Sequence, residues 1–396
     1  MRLSSRLELF NEPETLKMAK LGRELRAQGV DVIDLSLGEP DFDTPNHIKE
    51  SLKKAVEENW SHYPPVAGYP DLREAVCHKL RRDNGLEYAP ENVLVSTGAK
   101  QSLANVIMAV VDKGDEVVIP TPYWVTYSEL VKLCEGKVVM VRTSVENGYK
   151  ITPEELEAAI TPRTTLFMFS SPCNPSGSVY SREELAALAE VFRRHPQVVI
   201  ISDEIYEYIN FVGRHESLAQ FTDLKDRIVI INGLSKGYAM TGYRIGYIAA
   251  HPAIVKACEK LQGQITSGAN AVTQRGAITA LTGDMAPTEH MNREFTRRRA
   301  RMLELLKAIP GIRVAEPDGA FYVFPVVTAY FGKSDGTQTI NDADDLCMYL
   351  LNVAHVSTVT GRAFGEPDCI RISFANGMDK IEQAMERIAS ALSRLH

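Results

Sequence analysis

The chain has little of several things, and each scarcity excludes a class of protein. Its 396 residues include two tryptophans and six cysteines. Cys77, Cys134, Cys173, Cys258, Cys347 and Cys369 form no CxxC pair, so neither a metal site nor a disulfide framework is expected. No stretch approaches the roughly 20 consecutive apolar residues of a membrane-spanning helix. The opening MRLSSRLELFNEPETLKMAK has no continuous apolar segment, so no secretory signal is expected and the chain reads as cytoplasmic. Positive charge is also short. With 44 Lys and Arg against 51 Asp and Glu the net charge is −7, unlike a nucleic-acid-binding surface. There is no internal repeat, and no GxGxxG follows an early strand, which argues against a nicotinamide dinucleotide fold.

What is present is ordinary globular composition, 44% hydrophobic and 24% charged, at a length that exceeds one comfortable core. Short apolar runs at Val93–Ser96, Glu116–Pro120, Val138–Val141, Thr165–Ser170, Val198–Ser202, Ile228–Ile231 and Ile245–Ala250 alternate with helical stretches. Runs apolar on both faces are expected of strands between helical layers, so residues 45–288 read as an α/β domain with a mostly parallel sheet. The ends read differently. Residues 13–28 carry helical spacing (Leu16, Ala19, Leu21, Leu25) up to Gly29. A long helix is expected from Glu289, then strands at Ile312–Glu316 and Ala320–Phe324, a helix from Asp342, a strand at Cys369–Phe374 and a helix from Met378. Residues 1–44 and 289–396 are therefore assigned to a smaller α+β domain. The run Arg297, Arg298, Arg299, Arg301 reads as a solvated helix face.

Five motifs carry chemistry, and each has a plainer reading when taken alone. GLSKGYAMTGYRIG (233–246) follows a buried strand and flanks Lys236 with small residues that let a ligand approach. VVIISDEIYEYINF (198–211) ends a strand at Asp203, with Tyr206 beyond; alone it also fits a capping aspartate followed by core tyrosines. VLVSTGAKQSL (93–103) turns from strand to helix at Gly98, as an anion site or a plain βα turn would. FMFSSPCNPSGSVYS (167–181) holds Asn174 at a strand end, and PTPYWVTY (120–127) sets Trp124 where it could stack on a flat ring or join the core. Together these put Gly98, Trp124, Asn174, Asp203 and Lys236 along one sheet edge. A phosphate cradle, a stacking surface, a buried acid, a tyrosine and a lysine are the set that pyridoxal 5′-phosphate requires.

At S-K-x-x-A-M-T-G-x-R-I-G (235–246), N-P-x-G (174–177) and S-D-E-I-Y (202–206) the chain resembles the class I (fold type I) aminotransferases of the bacterial aspartate/prephenate branch, over nearly its full length. The resemblance implies a seven-stranded, mostly parallel sheet between helices plus the smaller domain. It implies Lys236, Asp203 and Tyr206 as catalytic: Lys236 joined to the cofactor, Asp203 on the pyridine nitrogen, Tyr206 and Asn174 on the ring hydroxyl. Phosphate would be held at Gly98, Ala99 and Lys100 with Ser235 and Arg244, and Trp124 would stack on the ring. DLSLGEPDFDTP (34–45) matches the segment whose Gly38 lies against substrate, and CIRISFA (369–375) supplies Arg371 for the α-carboxylate. HYPPVAGYPDLREA (62–75) matches the segment whose tyrosine, Tyr63, reaches a neighbouring subunit's phosphate, which implies a homodimer with shared sites. Gly38, Lys100, Trp124, Asn174 and Arg371 would face the substrate, an amino acid or 2-oxo acid.

Two departures qualify the match. Glu12-Pro13-Glu14 stands where the branch often has a basic residue and Pro-Ser, which weakens prephenate as substrate. T-G-R-A-F-G (360–365) replaces P-G-x-x-F-G, so Arg362 is an extra cation near the site. Lys100 still favours an acidic substrate, with aspartate and 2-oxoglutarate as the expected pair. The rivals are a lyase of the same fold and a regulator that uses the fold as a sensor; the latter carries a DNA-binding segment ahead of the fold, for which the roughly 40 leading residues leave little room.

Overall fold

Most apolar runs of the middle section are strands buried on both faces: every residue of Val93–Ser96, Glu116–Pro120 and Ile228–Gly233 is buried, while the run at Val138–Val141 is only partly so. The computed structural model describes residues 2–12 and 14–396, without the side chains of residues 14–16, so Pro13 and the side chains of Glu14 and Leu16 lie outside the described residues. The chain opens with α1 (Glu14–Ala27), β1 (Ile33–Asp34), α2 (Asn46–Glu57) and α3 (Pro70–Lys79). Alternation follows: β2 (Val93–Ser96), α4 (Ala99–Val110), β3 (Glu116–Pro120), α5 (Thr126–Leu133), β4 (Lys137–Val141), α6 (Pro153–Ala159), β5 (Thr164–Ser170), α7 (Arg182–Arg194), β6 (Val199–Asp203), β7 (Ile228–Gly233) and β8 (Gly246–Ala249). The remainder is α8 (Pro252–Ile265), α9 (Ala271–Thr282), α10 (Ala286–Lys307), β9 (Tyr322–Val323), α11 (Ala343–Tyr349), β10 (Val356–Ser357), β11 (Val359–Thr360), β12 (Ile370–Ser373) and α12 (Met378–Leu392).

Strands β2 to β8 form one seven-stranded sheet in the order β2-β8-β7-β6-β5-β3-β4. All pairings are parallel except those of β8 with β7 and with β2. Hence β2, β3, β5, β6 and β7 end at one edge, where β8 begins. The outer strand β4 turns Lys137 and Met140 to solvent, and a charged edge resists further strand pairing. One face is packed by Leu72, Leu188, Phe192 and Ala277 from α3, α7 and α9. The other is packed by Leu103, Ile107, Val131 and Val255 from α4, α5 and α8.

A third apolar cluster joins the two chain ends, Met18, Ile33 and Leu35 packing with Phe295, Leu306, Phe321, Tyr349 and Ile388. β1 pairs in parallel with β10, and β11, β12 and β9 form a small antiparallel sheet. Ile312–Glu316, expected as a strand, is not one: only Arg313 bridges to Val326, between Pro310-Gly311 and Pro317, which interrupt pairing. The arginine run of α10 is not wholly solvated either. Arg298 falls on the buried stripe with Met291, Phe295 and Met302, is 7% exposed, and pairs with Asp41 at 2.6 Å.

Candidate active site

The sheet edge where β2, β3, β5, β6 and β7 end carries the candidate residues. β2 turns into α4 through Gly98, whose φ of +80° lies in the left-handed region. A Cβ there would stand 2.6 Å from the Arg244 guanidinium, so only glycine lets the two segments meet. Gly98 makes no side-chain cap, and the first N–H groups of α4, at Ala99 and Lys100, present the positive end of the helix. Arg244 precedes β8, donates to the Thr241 carbonyl at 2.8 Å, and has no ion-pair partner among the described residues. Ser235 and Lys236 follow β7 into the same space.

Asp203 closes β6 and is 3% exposed. Its Oδ2 accepts from the Tyr127 hydroxyl at 2.6 Å and its Oδ1 from the Ile205 N–H at 3.2 Å, but no cation is ion-paired with it among the described residues. Burial pushes its pKa up to about 6, although Tyr127 and the Ile205 N–H favour the charged form. Burial pulls Lys236 the other way, down to about 8; Glu39 opposes this, while Arg371 and Arg244 add to it. Lys236 Nζ donates to the Gly38 carbonyl at 2.5 Å.

The far end of the site belongs to Arg371 on β12, 2% exposed and stacked 4.5 Å from the Tyr322 ring and 5.0 Å from Phe364. It donates to Asn174 Oδ1 at 2.9 Å and to the Ser36 carbonyl at 2.5 Å, while its Nε has no partner and no carboxylate pairs with it among the described residues. Tyr206 and Tyr322 share a hydroxyl–hydroxyl hydrogen bond of 2.8 Å. A Cβ added at Gly38 would collide with that Tyr322 hydroxyl. Trp124 follows β3 with the Lys100 ammonium 4.9 Å from its ring centre.

One cavity of about 240 Å³ joins these groups. Every expected site residue lines it except Gly98, which acts through the space it leaves for Arg244, and Tyr63. Tyr63 is 93% exposed, in a separate depression beside Thr266 and Ser267. Arg362 is not near the site: it pairs with Asp342 and Asp344 at the start of α11, at 2.8 and 2.9 Å. Glu12 is exposed and also off the cavity wall. Sequence reasoning missed Tyr127, Ser170, Thr241 and Tyr322. Tyr127 stood three residues after Trp124 in a motif already singled out; Tyr322 had no local signal. A larger groove of about 1020 Å³ between α10 and α12 is open and borders none of the expected residues.

The arrangement can hold a flat, basic ring between two anion-binding poles. The first turn of α4 with Ser235 and Arg244 suits a phosphate, and Arg371 suits a carboxylate. The unpaired acid between them suits a protonated ring nitrogen, beside an amine of lowered basicity.

Known proteins match this chain in sequence and in fold. The sequence profile of the class I and II aminotransferases matches residues 30–388. The aspartate/prephenate aminotransferase of Nitrosomonas europaea is 43% identical, across 99% of this chain and 100% of that protein. Among solved structures, the aspartate aminotransferase of Rhizobium meliloti superposes with a TM-score of 0.96 at 41% identity, covering 100% of both chains. That of Thermus thermophilus with maleate gives 0.93 at 38% identity, covering 99% of this chain and 100% of that one. With both sequence and fold matched over almost the whole length, this chain is an aminotransferase and belongs to the class I and II family.

Proposed function

We propose that the protein binds pyridoxal 5′-phosphate through Lys236 and moves amino groups between aspartate and 2-oxoglutarate. The observation that carries this reading is Asp203, a buried carboxylate with no ion-paired cation among the described residues. Such a charge is costly unless a ligand brings the counter-charge, and the protonated nitrogen of a pyridine ring is that counter-charge. Bound there, the cofactor supplies an electron-withdrawing ring that accepts the electron pair left when the substrate's α-proton departs.

This chain's own residues do the rest. Asp203 keeps the ring nitrogen protonated, with Tyr127 orienting the carboxylate. The N–H groups of Ala99 and Lys100 hold the phosphate beside Gly98, with Ser235 and Arg244; Trp124 covers the ring; Tyr206 and Asn174 bond its hydroxyl. Lys236 Nζ would hold the cofactor at rest and, as a free amine, would take the proton from the substrate Cα. Its pKa of about 8 leaves a useful fraction neutral near neutral pH. Arg371 grips the α-carboxylate with Gly38 against the substrate, and Lys100 meets the distal carboxylate. Two half-reactions on one site give ping-pong kinetics.

The same reading divides the chain into a cofactor-binding domain, 45–288, and a smaller domain from 1–44 and 289–396. It makes the protein a cytoplasmic homodimer in which Tyr63 of each chain reaches the other's phosphate, in keeping with a side chain 93% exposed in the single chain. Among the described residues no helix is long and apolar enough to cross a membrane. The test is an amino-donor screen with 2-oxoglutarate, followed by the visible absorbance of the bound cofactor. Aspartate should convert fastest. Product formation that needs no oxo-acid acceptor would instead establish a lyase, and no visible band after incubation with pyridoxal phosphate would remove the cofactor assignment.

A further inference from the structure

The turn after β6 has two faces. Asp203 and Tyr206 line the site cavity, whereas Glu204 and Glu207, each one residue further on, turn into a buried polar cluster reached by α3 and β7. Four ionisable side chains meet there, Lys79, Glu204, Glu207 and His215, none more than 6% exposed. Lys79 Nζ is ion-paired with Glu207 and donates to Asn84 Oδ1 at 2.7 Å. Glu207 also accepts from Asn84 Nδ2 at 2.9 Å and from Asn232 Nδ2 at 3.0 Å. Glu204 Oε1 accepts from the Ser202 and Ser217 hydroxyls at 2.9 and 2.6 Å, and its Oε2 faces His215 Nε2 at 3.1 Å.

Glu204, Glu207 and His215 bring potential metal-ligating atoms within 4.8 Å of one another. The Lys79 ammonium already rests on Glu207, both Glu207 oxygens and Glu204 Oε1 have donors, and Glu204 Oε2 lies 3.1 Å from His215 Nε2 without an aligned hydrogen bond, His215 Nδ1 being unbonded as well. The cations of this cluster are therefore built in. At its margins Asp83, 4.0 Å from the Lys79 ammonium, is balanced by Arg82 at 2.6 Å and Glu216 by Arg182 at 3.5 Å. Arg214 and Glu289 border the adjoining cavity. The central four sum to zero only when His215 is doubly protonated. A neutral His215 would leave one carboxylate charge uncompensated behind Asp203, in a medium where charges interact strongly. Burial opposes the charged ring, but Glu204, helped by Glu207, outweighs burial and Lys79 and raises the His215 pKa.

The cluster also reaches the lysine. Asn232 lies on β7 four residues before Lys236, and its Oδ1 accepts from the Gly233 N–H at 2.7 Å. Gly237, just after Lys236, packs on Tyr208 so closely that a Cβ there would stand 2.5 Å from the ring. Tyr208 in turn donates to Asp83 at 2.5 Å.

We propose that Lys79, Glu204, Glu207 and His215 form a charge-balanced cluster that positions the turn carrying Asp203 and Tyr206, with His215 the positioning residue that neutralises Glu204 directly behind Asp203. The inference rests on reading Asp203 and Tyr206 as cofactor contacts. It is tested in the holoenzyme with His215→Gln, Glu204→Gln and the double substitution, by kcat, KM, the visible circular dichroism of bound pyridoxal phosphate, and Tm. His215→Gln should lower kcat about tenfold or more, because a small displacement of the turn misplaces Asp203 and Tyr206, with KM for the amino donor little changed. Glu204→Gln should be mild, because an amide at 204 still accepts from both serines and can donate to a neutral imidazole. The double substitution should restore kcat toward the Glu204→Gln level, which loss of packing alone would not do. The imidazole ¹⁵N shifts of His215 in the cofactor-free protein at neutral pH give a second readout: doubly protonated in the wild type, singly protonated in Glu204→Gln. A neutral His215 in the wild type, a double variant no better than His215→Gln, or a His215→Gln protein changed in Tm but not in kcat or dichroism would each overturn the proposal. A wild type that takes up no pyridoxal phosphate refutes the reading of the site and with it the positioning role, while the ¹⁵N shifts still decide the charge state.

Discussion

Replacing Asp203 with asparagine separates what the carboxylate costs the fold from what it does in the site. In the cofactor-free protein its pKa rises from an ordinary 3.8 to about 6 because burial disfavours the charge. A raised carboxylate pKa means that the folded state holds the proton more tightly, so stability falls as pH climbs from about 4 to about 6 and stays reduced above that. The gap of roughly two pH units at 1.36 kcal/mol each makes the cost about 3 kcal/mol at pH 8. Asp203→Asn removes it and gives back about 1 kcal/mol, since the Tyr127 hydroxyl loses its charged acceptor. The net gain is about 2 kcal/mol at pH 8. At about 2.1 cal/mol/K per residue over 396 residues, this raises Tm by about 2–3 °C. At pH 4.5 the burial cost shrinks to about 1 kcal/mol, and the two effects cancel. Aminotransferase turnover should move oppositely, falling about a hundredfold or more as the ring nitrogen loses its partner. The assay is thermal unfolding of cofactor-free wild type and variant at both pH values, beside single-turnover proton abstraction in the loaded enzymes. A variant less stable than wild type at pH 8, or an offset equal at both pH values, would refute the reasoning.

Four further outcomes follow from the same geometry. Lys236→Ala should retain the cofactor weakly and lose about 10²–10⁴ in turnover, since no other group is placed to move the α-proton; near-normal turnover with added amines excluded would overturn this. Lys100→Met should lower kcat/KM for aspartate about ten- to hundredfold, the value of one charge-assisted hydrogen bond, and leave alanine unaffected; equal losses would show that Lys100 does not set specificity. Gly38→Ala puts a methyl group onto the Tyr322 hydroxyl and displaces the carbonyl that caps Lys236, so kcat should drop about tenfold or more at a stability cost of about 1–3 kcal/mol, read by steady-state kinetics and Tm. Sedimentation should show a dimer at assay concentrations, because Tyr63 lies outside its own chain's cavity; an active monomer would defeat the shared-site reading.

Much of the site was legible because strands buried on both faces announce themselves. A run such as Val198–Ser202 can only be interior, so the charge at its end, Asp203, must meet something. Lys236 stood out for the same reason, among small residues after Ile228–Ile231. What could not be read was anything set by contacts distant in sequence. Tyr322 meets Tyr206 across 116 residues and Arg371 meets the Ser36 carbonyl across 335. The burial of Arg298 needed both the register of α10 and the placement of Asp41, whereas Ile312–Glu316 is held to a single bridge by Pro310, Gly311 and Pro317.

Composition, apolar runs and their terminal residues were enough to determine the α/β class, the positions of the seven strands of the main sheet within a residue or two, and the lysine and acid at one sheet edge, because these depend on local periodicity and on the cost of burying charge. The tertiary structure alone decided which face of the 203–207 turn serves the site and which serves the Lys79 and His215 cluster. Neighbouring acids such as Asp203 and Glu204 look equivalent in a sequence, and only the packing around them settles which charges are compensated.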